Sequence, residues 1–464
     1  MDKISIDAVV KAVNGSLIKK CGENFITGVK HDSRECGAGD MFVAVSGEKQ
    51  DGHKYIPQAL RSGCRTVLVS HQNGWPDDVD AIDFNVIEVD DTVYAMGELA
   101  KYYLDTLDLI KIAVTGSVGK TSTRDMIYYV LKEKFSCGRN MKNFNNDIGL
   151  PLSIFQFDSS MQAAVLEMGM DKFGEIDRLA EIVKPHIAVI TNIGVSHIEN
   201  LGSREGIFKA KMEVTKHITS YKGNPGTLIF PWDGEFLTRE NTEGQYSQIV
   251  VGSDGKSDYI ISHIDDFGLK GIQFTLEHME KNRKIRIPVP GRHNAVNGTL
   301  ALAVGDLLEV SEDQENIGLS KVELTGSRLK CLENHGVTVI DDTYNASPDS
   351  MKSAMKVLEK SPCSGSKTAI LGDMYELGEQ SQRQHLSVGL FARGLRINKV
   401  IAVGCMAKYI AEGASGGKPE VIYFEKKEDL YDKMNQLIGP GDIILVKGSR
   451  AMKMEQIVEK VLKI

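Results

Sequence analysis

The feature that most constrains the fold is a glycine-rich loop between an apolar strand and a helical segment. The stretch KIAVTGSVGKTST (111–123) runs through Gly116 and Gly119 to Lys120 and Thr121. Glycines let the backbone turn its N–H groups inward, and the start of a helix adds partial positive charge. The lysine adds a full charge, and the threonine hydroxyl can bind Mg²⁺. This pattern predicts a phosphate-binding loop at the end of a strand.

The loop is shorter than the usual nucleotide-binding motif, because Gly116 and Gly119 enclose only Ser117 and Val118. An ordinary glycine turn with a surface lysine is therefore an alternative interpretation. The strand before the loop and the helical periodicity after it favour the phosphate site.

Short apolar, β-branched runs alternate with helical-period segments along the chain, which predicts α/β units with largely parallel sheets. A length of 464 residues suits three domains, and we expect them at 1–104, 105–316 and 317–464. Within the central domain, residues 232–290 are predicted as a smaller antiparallel insert. The polar stretch SEDQENIGLSKVE (311–323) is predicted as an interdomain linker.

Two polar residues follow apolar runs that we predict to be neighbouring strands. Glu167 follows the run 163–166 and His197 follows the run 187–193. Ligands of parallel sheets lie beyond the carboxyl ends of the strands, so these groups and Thr121 are candidate Mg²⁺ ligands. Taken singly, Glu167 could be a solvated strand end, and His197 a helix cap or a core histidine.

Lys211 lies on an apolar helix face that it shares with Ile207, Val214 and Ile218. Such a lysine either extends its amine to solvent or stays buried with a depressed pKa. A buried neutral amine could react with carbon dioxide to form a carbamate beside a metal, and both interpretations stay open on the sequence alone.

Composition excludes several classes of protein. The formal net charge of −8 argues against a nucleic-acid-binding protein. Seven scattered cysteines predict reduced thiols rather than disulfides or a zinc site. We identify no signal peptide and no apolar run long enough to insert into a membrane, and we expect a cytoplasmic protein.

Together these segments resemble the Mur ligase family, and the resemblance covers essentially the whole chain in order. The matching segments are HDSRECGAGDMFVAVSGEKQDGH (31–53), TGSVGKTST (115–123), NFNNDIGLPL (143–152), LEMGM (166–170), TNIGVSHIENLGSREGIFKAKMEV (191–214), PGRHNAVN (290–297), IDDTYNASPDSM (340–351), LGDMYELGE (371–379) and VKGSRAMKME (446–455).

The family resemblance implies an N-terminal UDP-sugar-binding domain, a central P-loop-type ATPase domain and a C-terminal Rossmann-like domain. The implied reaction is ATP-dependent amide formation through an acyl phosphate, in peptidoglycan precursor synthesis and therefore in cell shape and division. The segments are most similar to those of the member that adds D-alanyl-D-alanine (D-Ala-D-Ala) to UDP-N-acetylmuramoyl-tripeptide (UDP-MurNAc-tripeptide). We expect small-molecule substrates, two Mg²⁺ ions and a monomer.

The resemblance also implies roles for individual residues. Lys120, Glu167, His197 and Lys211 are the expected catalytic residues. The expected ATP-binding residues are Thr115, Gly116, Ser117, Val118, Gly119, Lys120, Thr121, Ser122, Asn297, Arg328 and Asp342. The expected substrate-binding residues are Ser33, Arg34, Asn145, Asn146, Asn345 and Ser347. The expected metal ligands are Thr121, Glu167, His197 and Lys211 as a carbamate.

The chain departs from the family pattern at three positions. Val118 replaces a frequent asparagine, Ser122 a frequent threonine, and Ser347 an asparagine near the expected amine site. The segment DDTYNASP disfavours the diaminopimelate- or lysine-adding relative, which has D-Y-A-H-x-P there. A P-loop switch protein is an alternative from another class, but it leaves Lys211 and the strand-end groups of the C-terminal domain unexplained. A sugar-nucleotide-binding module with an inactive ATP site is a further alternative, which the intact Lys120, Thr121 and Glu167 disfavour.

Overall fold

The computed structural model describes residues 1–47, 50–70, 82–141 and 143–464. Within these ranges, three large sheets with their own helices organise the chain, which confirms the α/β class with largely parallel sheets. Glu48 and Lys49, part of the family-like segment 31–53, lie outside the described residues.

The N-terminal part is built on a five-stranded sheet of order β2-β7-β6-β5-β4, with β1 and β3 forming a separate antiparallel pair. Strands β4 to β7 are parallel, and β2 is antiparallel to β7. Its elements are β1 Ile4–Ser5, α1 Ile6–Ala12, β2 Ser16–Lys19, β3 Phe25–Ile26, β4 Gly28–Lys30, β5 Asp40–Val43, α2 Ile56–Arg61, β6 Thr66–Ser70, β7 Asn85–Val89 and α3 Thr92–Asp105.

The central part is built on a nine-stranded sheet of order β16-β15-β14-β13-β12-β11-β8-β10-β9. Its elements are β8 Ile110–Thr115, α4 Lys120–Lys132, β9 Cys137–Arg139, α5 Gly149–Ile154, β10 Ala163–Glu167, α6 Glu175–Val183, β11 Ile187–Ile190, α7 Ile198–Leu201, α8 Arg204–Met212, β12 Thr227–Pro231, β13 Ser247–Gly252, β14 Tyr259–Asp266, β15 Ile272–His278, β16 Lys281–Ile287, α9 Asn294–Leu307 and α10 Glu312–Ser320.

Strand β8 lies between β10 and β11, and all three strands are parallel and buried along their whole length. Strands that are covered on both faces require such near-continuous apolar runs. Because the three strands point the same way, the phosphate loop, Glu167 and the segment after β11 all emerge at the same edge of the sheet.

Two predictions for the central part were only partly right. Residues 232–290 do form antiparallel strands β14, β15 and β16, but these extend the central sheet rather than build a separate insert. The predicted linker 311–323 is mostly the helix α10. Ser311 and Gln314 form a capping box at its start, and Glu315 and Leu319, four residues apart, are both buried.

The C-terminal part is built on a six-stranded sheet of order β17-β18-β22-β19-β20-β21, parallel except for β17. Its elements are β17 Lys330–Asn334, β18 Val337–Asp341, α11 Pro348–Lys360, β19 Lys367–Gly372, α12 Ser381–Arg393, β20 Lys399–Val403, α13 Lys408–Ala414, β21 Glu420–Phe424, α14 Lys427–Tyr431, α15 Met434–Leu437, β22 Ile443–Lys447 and α16 Glu455–Val461.

Two further properties agree with the composition. The seven cysteines are all free thiols. Among the described residues, no helix combines the length and the apolar character that crossing a bilayer requires.

Glu315 on α10 is a buried carboxyl whose ionisation opposes folding. Burial, and next the nearby Asp306, raise its pKa from an ordinary value of 4.5 to about 8, despite the opposing ion pair with Arg283 at 2.7 Å. The folded chain therefore holds a proton that the unfolded chain releases. The contribution of this group to stability is complete below pH 4.5 and is lost as the pH rises towards 8.

We predict that Glu315→Gln flattens the decline in stability between pH 5 and pH 8, because a glutamine carries no titrating proton. Urea unfolding of the wild type and the variant at several pH values measures the effect. Asp313→Asn, an exposed position on the same helix, is the control and should keep the wild-type slope. Parallel pH profiles for wild type and Glu315→Gln would contradict the prediction.

Candidate functional site

A cavity of about 1020 Å³ lies where the carboxyl edge of the central sheet faces the C-terminal part. The central part contributes the phosphate loop, the end of β10 and the start of α9. The C-terminal part contributes the segments around Arg328 and 342–354, together with Lys447. The cavity is therefore a cleft between two α/β units, which is where ligands of such folds bind.

The phosphate loop has a backbone that requires glycine at two positions. Gly116 and Gly119 have φ values of 148° and 84°, in the left-handed region that other residues avoid. A β-carbon on Gly116 would collide with the Thr191 side chain, and one on Gly119 would lie 3.1 Å from Asn297 Oδ1. The side chain of the expected nucleotide residue Asn297 thus lies next to the loop.

Asn192, which the sequence analysis did not identify, binds the middle of the loop. Its Oδ1 accepts hydrogen bonds from the backbone N–H groups of Ser117 (3.1 Å) and Val118 (2.9 Å). These two amides were predicted to bind phosphate, but in the structure they donate to the Asn192 side chain. The first N–H groups of α4, which begins at Lys120, have no partners within a helix and remain suited to an anion.

The amine of Lys120 lies over the loop that it follows. Nζ donates to the carbonyls of Gly116 at 2.8 Å and Ser117 at 3.4 Å. Burial lowers the pKa of Lys120, and Glu167 opposes this effect. The predicted lysine is therefore placed at the phosphate loop.

Glu167 is the centre of a buried polar cluster and is only 2% exposed. The Thr121 hydroxyl donates to Oε2 at 2.7 Å, and the Asn145 amide donates to Oε1 at 2.8 Å. The structure thus brings Thr121 and Glu167 together as predicted, and it excludes the solvated strand end as an interpretation. An adjacent hydroxyl and carboxylate are the oxygen donors that suit Mg²⁺. Asn145, expected at the substrate, contacts Glu167 and also lines the cavity.

His197 pairs with two acidic residues that the sequence analysis missed. Its Nδ1 lies 2.9 Å from Asp171 Oδ1 and 2.8 Å from Glu376 Oε2, although neither contact has hydrogen-bond geometry. The neighbouring His197 ring lowers the pKa of Glu376. Because Glu376 follows β19, this contact links the central and C-terminal parts. His197 also occupies the N-cap position of α7 with a φ of 62°, but its side chain makes no capping hydrogen bond.

Lys211 does not extend to solvent. Its side chain is among the largest that the fold buries completely, and the residue is 1% exposed. Burial, and secondly the charge of Lys120, depress its pKa well below the ordinary value. Of the two interpretations of the sequence, the structure supports the buried amine.

Lys447, which the sequence analysis did not identify, binds other residues on the C-terminal side of the cavity. Its Nζ is 2.7 Å from Asp342 Oδ2 and donates to the carbonyl of Asn345 at 2.8 Å. Arg328 lies with its guanidinium 3.8 Å from the centre of the Tyr344 ring. The expected nucleotide residues Arg328 and Asp342 therefore both line the cavity.

The expected substrate residues Asn146, Asn345 and Ser347 all line the cavity, and two of them also accept hydrogen bonds from nearby backbone N–H groups. Ser347 is the N-cap of α11, where its hydroxyl accepts from the N–H of Ser350. A serine is well suited to this position, which gives a physical reason for the departure from asparagine. Asn146 Oδ1 accepts from the N–H of Gly149 at 2.9 Å, and Asn345 is exposed on the cavity wall.

Ser33 and Arg34 lie in the N-terminal part, outside the set of described residues that line the cavity. The Ser33 hydroxyl donates to Gln58 at 2.9 Å, whereas Arg34 is 78% exposed and pairs with Asp32 at 2.6 Å. Hydrogen bonds from Arg34 lower the pKa of Asp32 to about 2. In the structure, these two residues therefore lie apart from the cavity at the phosphate loop.

Comparison with protein families shows three consecutive matches. Residues 25–104 match the "Mur ligase family, catalytic domain", residues 114–305 the "Mur ligase middle domain", and residues 327–450 the "Mur ligase, glutamate ligase domain".

Comparison with individual proteins agrees over the full length. The chain is 36% identical to the UDP-N-acetylmuramoyl-tripeptide–D-alanyl-D-alanine ligase of Bacillus subtilis, over 100% of this chain and 99% of that protein. It is 31% identical to the ligase of the same name from Escherichia coli, over 99% and 98% of the two chains.

Solved structures show the same architecture. A crystal structure of MurF from Acinetobacter baumannii superimposes with a TM-score of 0.89 at 30% identity, covering 100% of both chains. MurF ligase from Thermotoga maritima in complex with ADP has a TM-score of 0.80 at 28% identity, covering 94% of this chain and 97% of that one. From the loop and cleft geometry, the three domain matches and these relatives, we conclude that the chain belongs to the Mur ligase family.

Proposed function

We propose that this chain uses ATP to join D-Ala-D-Ala to UDP-MurNAc-tripeptide, as the names of its full-length relatives state for those proteins. The observation that carries the proposal is the single cleft in which a phosphate loop faces charged groups of a second domain. Lys120, Thr121 and Glu167 lie on one side, and Arg328 and Asp342 on the other. We further propose domain limits of 1–104, 105–316 and 317–464.

The reaction needs activation because a carboxylate does not react with an amine at neutral pH. An oxygen of the tripeptide carboxylate attacks the γ-phosphorus of ATP, and ADP leaves with the bond electrons. The nitrogen of the dipeptide then attacks the acyl phosphate carbon and loses a proton. Collapse of the tetrahedral intermediate breaks the carbon–oxygen bond, so phosphate departs with an oxygen that came from the carboxylate.

The residues of the cleft supply positioning and positive charge, which are the main protein contributions to phosphoryl transfer. Lys120 and the start of α4 hold the β- and γ-phosphates, and Arg328 approaches them from the C-terminal side. Asp342 and Asn297 hold the nucleoside, whereas Asn345 faces the acceptor. Enclosure between two domains protects the acyl phosphate from water.

The oxygen donors of Thr121 and Glu167 fit a Mg²⁺ ion, and His197 and Lys211 are proposed for a second one. Bound Mg²⁺ would neutralise charge on the phosphates. Lys211 suits its role only as a carbamate, in which the neutral Nζ has added to carbon dioxide and lost a proton. Burial lowers the pKa of Lys211 and so favours the neutral amine, which is the form that reacts.

The N-terminal domain is proposed to hold the UDP group through Ser33 and Arg34. This placement suits a long substrate whose nucleotide end and tripeptide end must contact different domains. The acidic chain and its cleft of modest volume agree with small-molecule substrates. We further propose that the chain acts as a monomer in the cytoplasm.

We predict that phosphate release requires both UDP-MurNAc-tripeptide and D-Ala-D-Ala, with a product heavier by one dipeptide unit. Lys120→Ala should abolish this turnover, by at least about a thousandfold, because it removes the charge next to the transferred phosphate. Lys132→Ala, an exposed lysine on the same helix, is the control and should keep wild-type turnover. Phosphate release from ATP alone, or substantial activity of Lys120→Ala, would contradict the proposal.

We predict that Lys211→Ala loses turnover that added bicarbonate does not restore, because alanine has no amine to carbamylate. The matched control is Lys209→Ala, an exposed lysine of the same helix that pairs with Glu205. Turnover of the wild type should also fall when carbon dioxide is removed from the buffer. Full activity of a folded Lys211→Ala variant would show that the buried amine is only structural.

A further inference from the structure

Two charged residues with no role in the proposed mechanism lie fully buried next to the phosphate loop. Arg124 and Asp125 are neighbours on α4, and both side chains are 0% exposed. They pair with each other at 2.6 Å. Buried ion pairs are costly unless further hydrogen bonds compensate the loss of water, so the other partners of this pair are informative.

Arg124 faces the Glu167 carboxylate on one side and the chain after α10 on the other. Its Nη1 lies 3.5 Å from Glu167 Oε2, the same oxygen that accepts the Thr121 hydroxyl. Its Nη2 donates to the Thr325 hydroxyl at 3.0 Å. One guanidinium therefore contacts both the proposed metal ligand and the interdomain segment 321–329, which we call the connector.

Asp125 completes the attachment of the connector. Its Oδ2 accepts the backbone N–H of Thr325 at 2.7 Å, and its Oδ1 accepts from Arg139 at 2.8 Å. Two arginines and the two carboxylates of Asp125 and Glu167 give this cluster a balanced charge. The pair thus binds both the amide and the hydroxyl of Thr325.

The third polar group of Thr325 is its carbonyl, which contacts Arg328, the residue that we assign to the phosphates of ATP. This carbonyl accepts from Arg328 Nη1 at 2.6 Å, and the guanidinium lies against Tyr344. Gly326, with a φ of 81°, provides the turn between these two residues. A continuous path of contacts therefore runs from Glu167 through Arg124 and Thr325 to Arg328.

We propose that Arg124 and Asp125 are positioning residues that fix Thr325, and through it the guanidinium of Arg328, relative to the phosphate loop. Thr325 attaches this connector to the central domain through two buried charged side chains. The C-terminal domain then pivots from a fixed point, and Arg328 approaches the phosphates in one defined position. This inference rests on the proposed assignment of Arg328 to the phosphates of ATP.

The test is a double-mutant cycle between Thr325 and Arg328. Thr325→Val keeps the shape and the backbone N–H but removes the oxygen that binds Arg124, and Thr325→Ser restores that oxygen. We expect Thr325→Val to lower kcat about fivefold to tenfold with little change in KM for ATP, and Thr325→Ser to retain most of the wild-type kcat. In an Arg328→Lys background, Thr325→Val should cause no further loss of kcat.

A second readout does not depend on turnover. Amide hydrogen exchange of the connector should accelerate in Asp125→Asn, because a neutral amide holds the Thr325 N–H more weakly than a carboxylate does. Thr325→Val with wild-type kcat, or with the same fractional loss in both backgrounds, would overturn the proposal. If Arg328→Lys and Arg328→Ala both turn over like wild type, the assignment of Arg328 to the phosphates fails instead.

Discussion

The hydrogen bond from the Thr121 hydroxyl to the Glu167 carboxylate joins the phosphate loop to the end of the neighbouring strand β10. It exists because β8 and β10 are adjacent and parallel, so that the loop after one strand and the last residue of the other meet at one edge. A carboxylate this deeply buried needs compensating partners: Asn145 donates a second hydrogen bond, and the Arg124 guanidinium adds a positive charge at 3.5 Å. The surrounding polar network is thus a consequence of placing one acidic group beside a phosphate site.

The C-terminal domain completes a site that the central domain cannot form alone. Arg328 and Asp342 come from beyond α10, and the contact between His197 and Glu376 links the two domains directly. The same residue, His197, is proposed as a metal ligand, so one side chain belongs both to the proposed metal site and to the contact between the domains. This arrangement connects the chemistry to the position of the C-terminal domain.

The buried strands of the central sheet and the polar groups at their ends were predicted well from the sequence. The buried runs of β8, β10 and β11, the loop glycines and Glu167 are encoded locally, and the structure places them as expected. The sequence was less informative where contacts are distant. Helix α10 was interpreted as a linker because its buried face consists of only a few residues, including the polar Glu315. Asn192, Glu376 and Lys447 were missed because their partners lie in other segments of the chain.

The central claim is that an oxygen of the tripeptide carboxylate is phosphorylated before the amide forms. The most direct measurement uses UDP-MurNAc-tripeptide labelled with ¹⁸O in that carboxylate, with ATP, Mg²⁺ and D-Ala-D-Ala, and analyses the released phosphate by mass. We predict that each phosphate carries a single ¹⁸O atom, because the acyl phosphate loses that oxygen when the amine displaces it. Phosphate without label, released together with the dipeptide-extended product, would contradict the account.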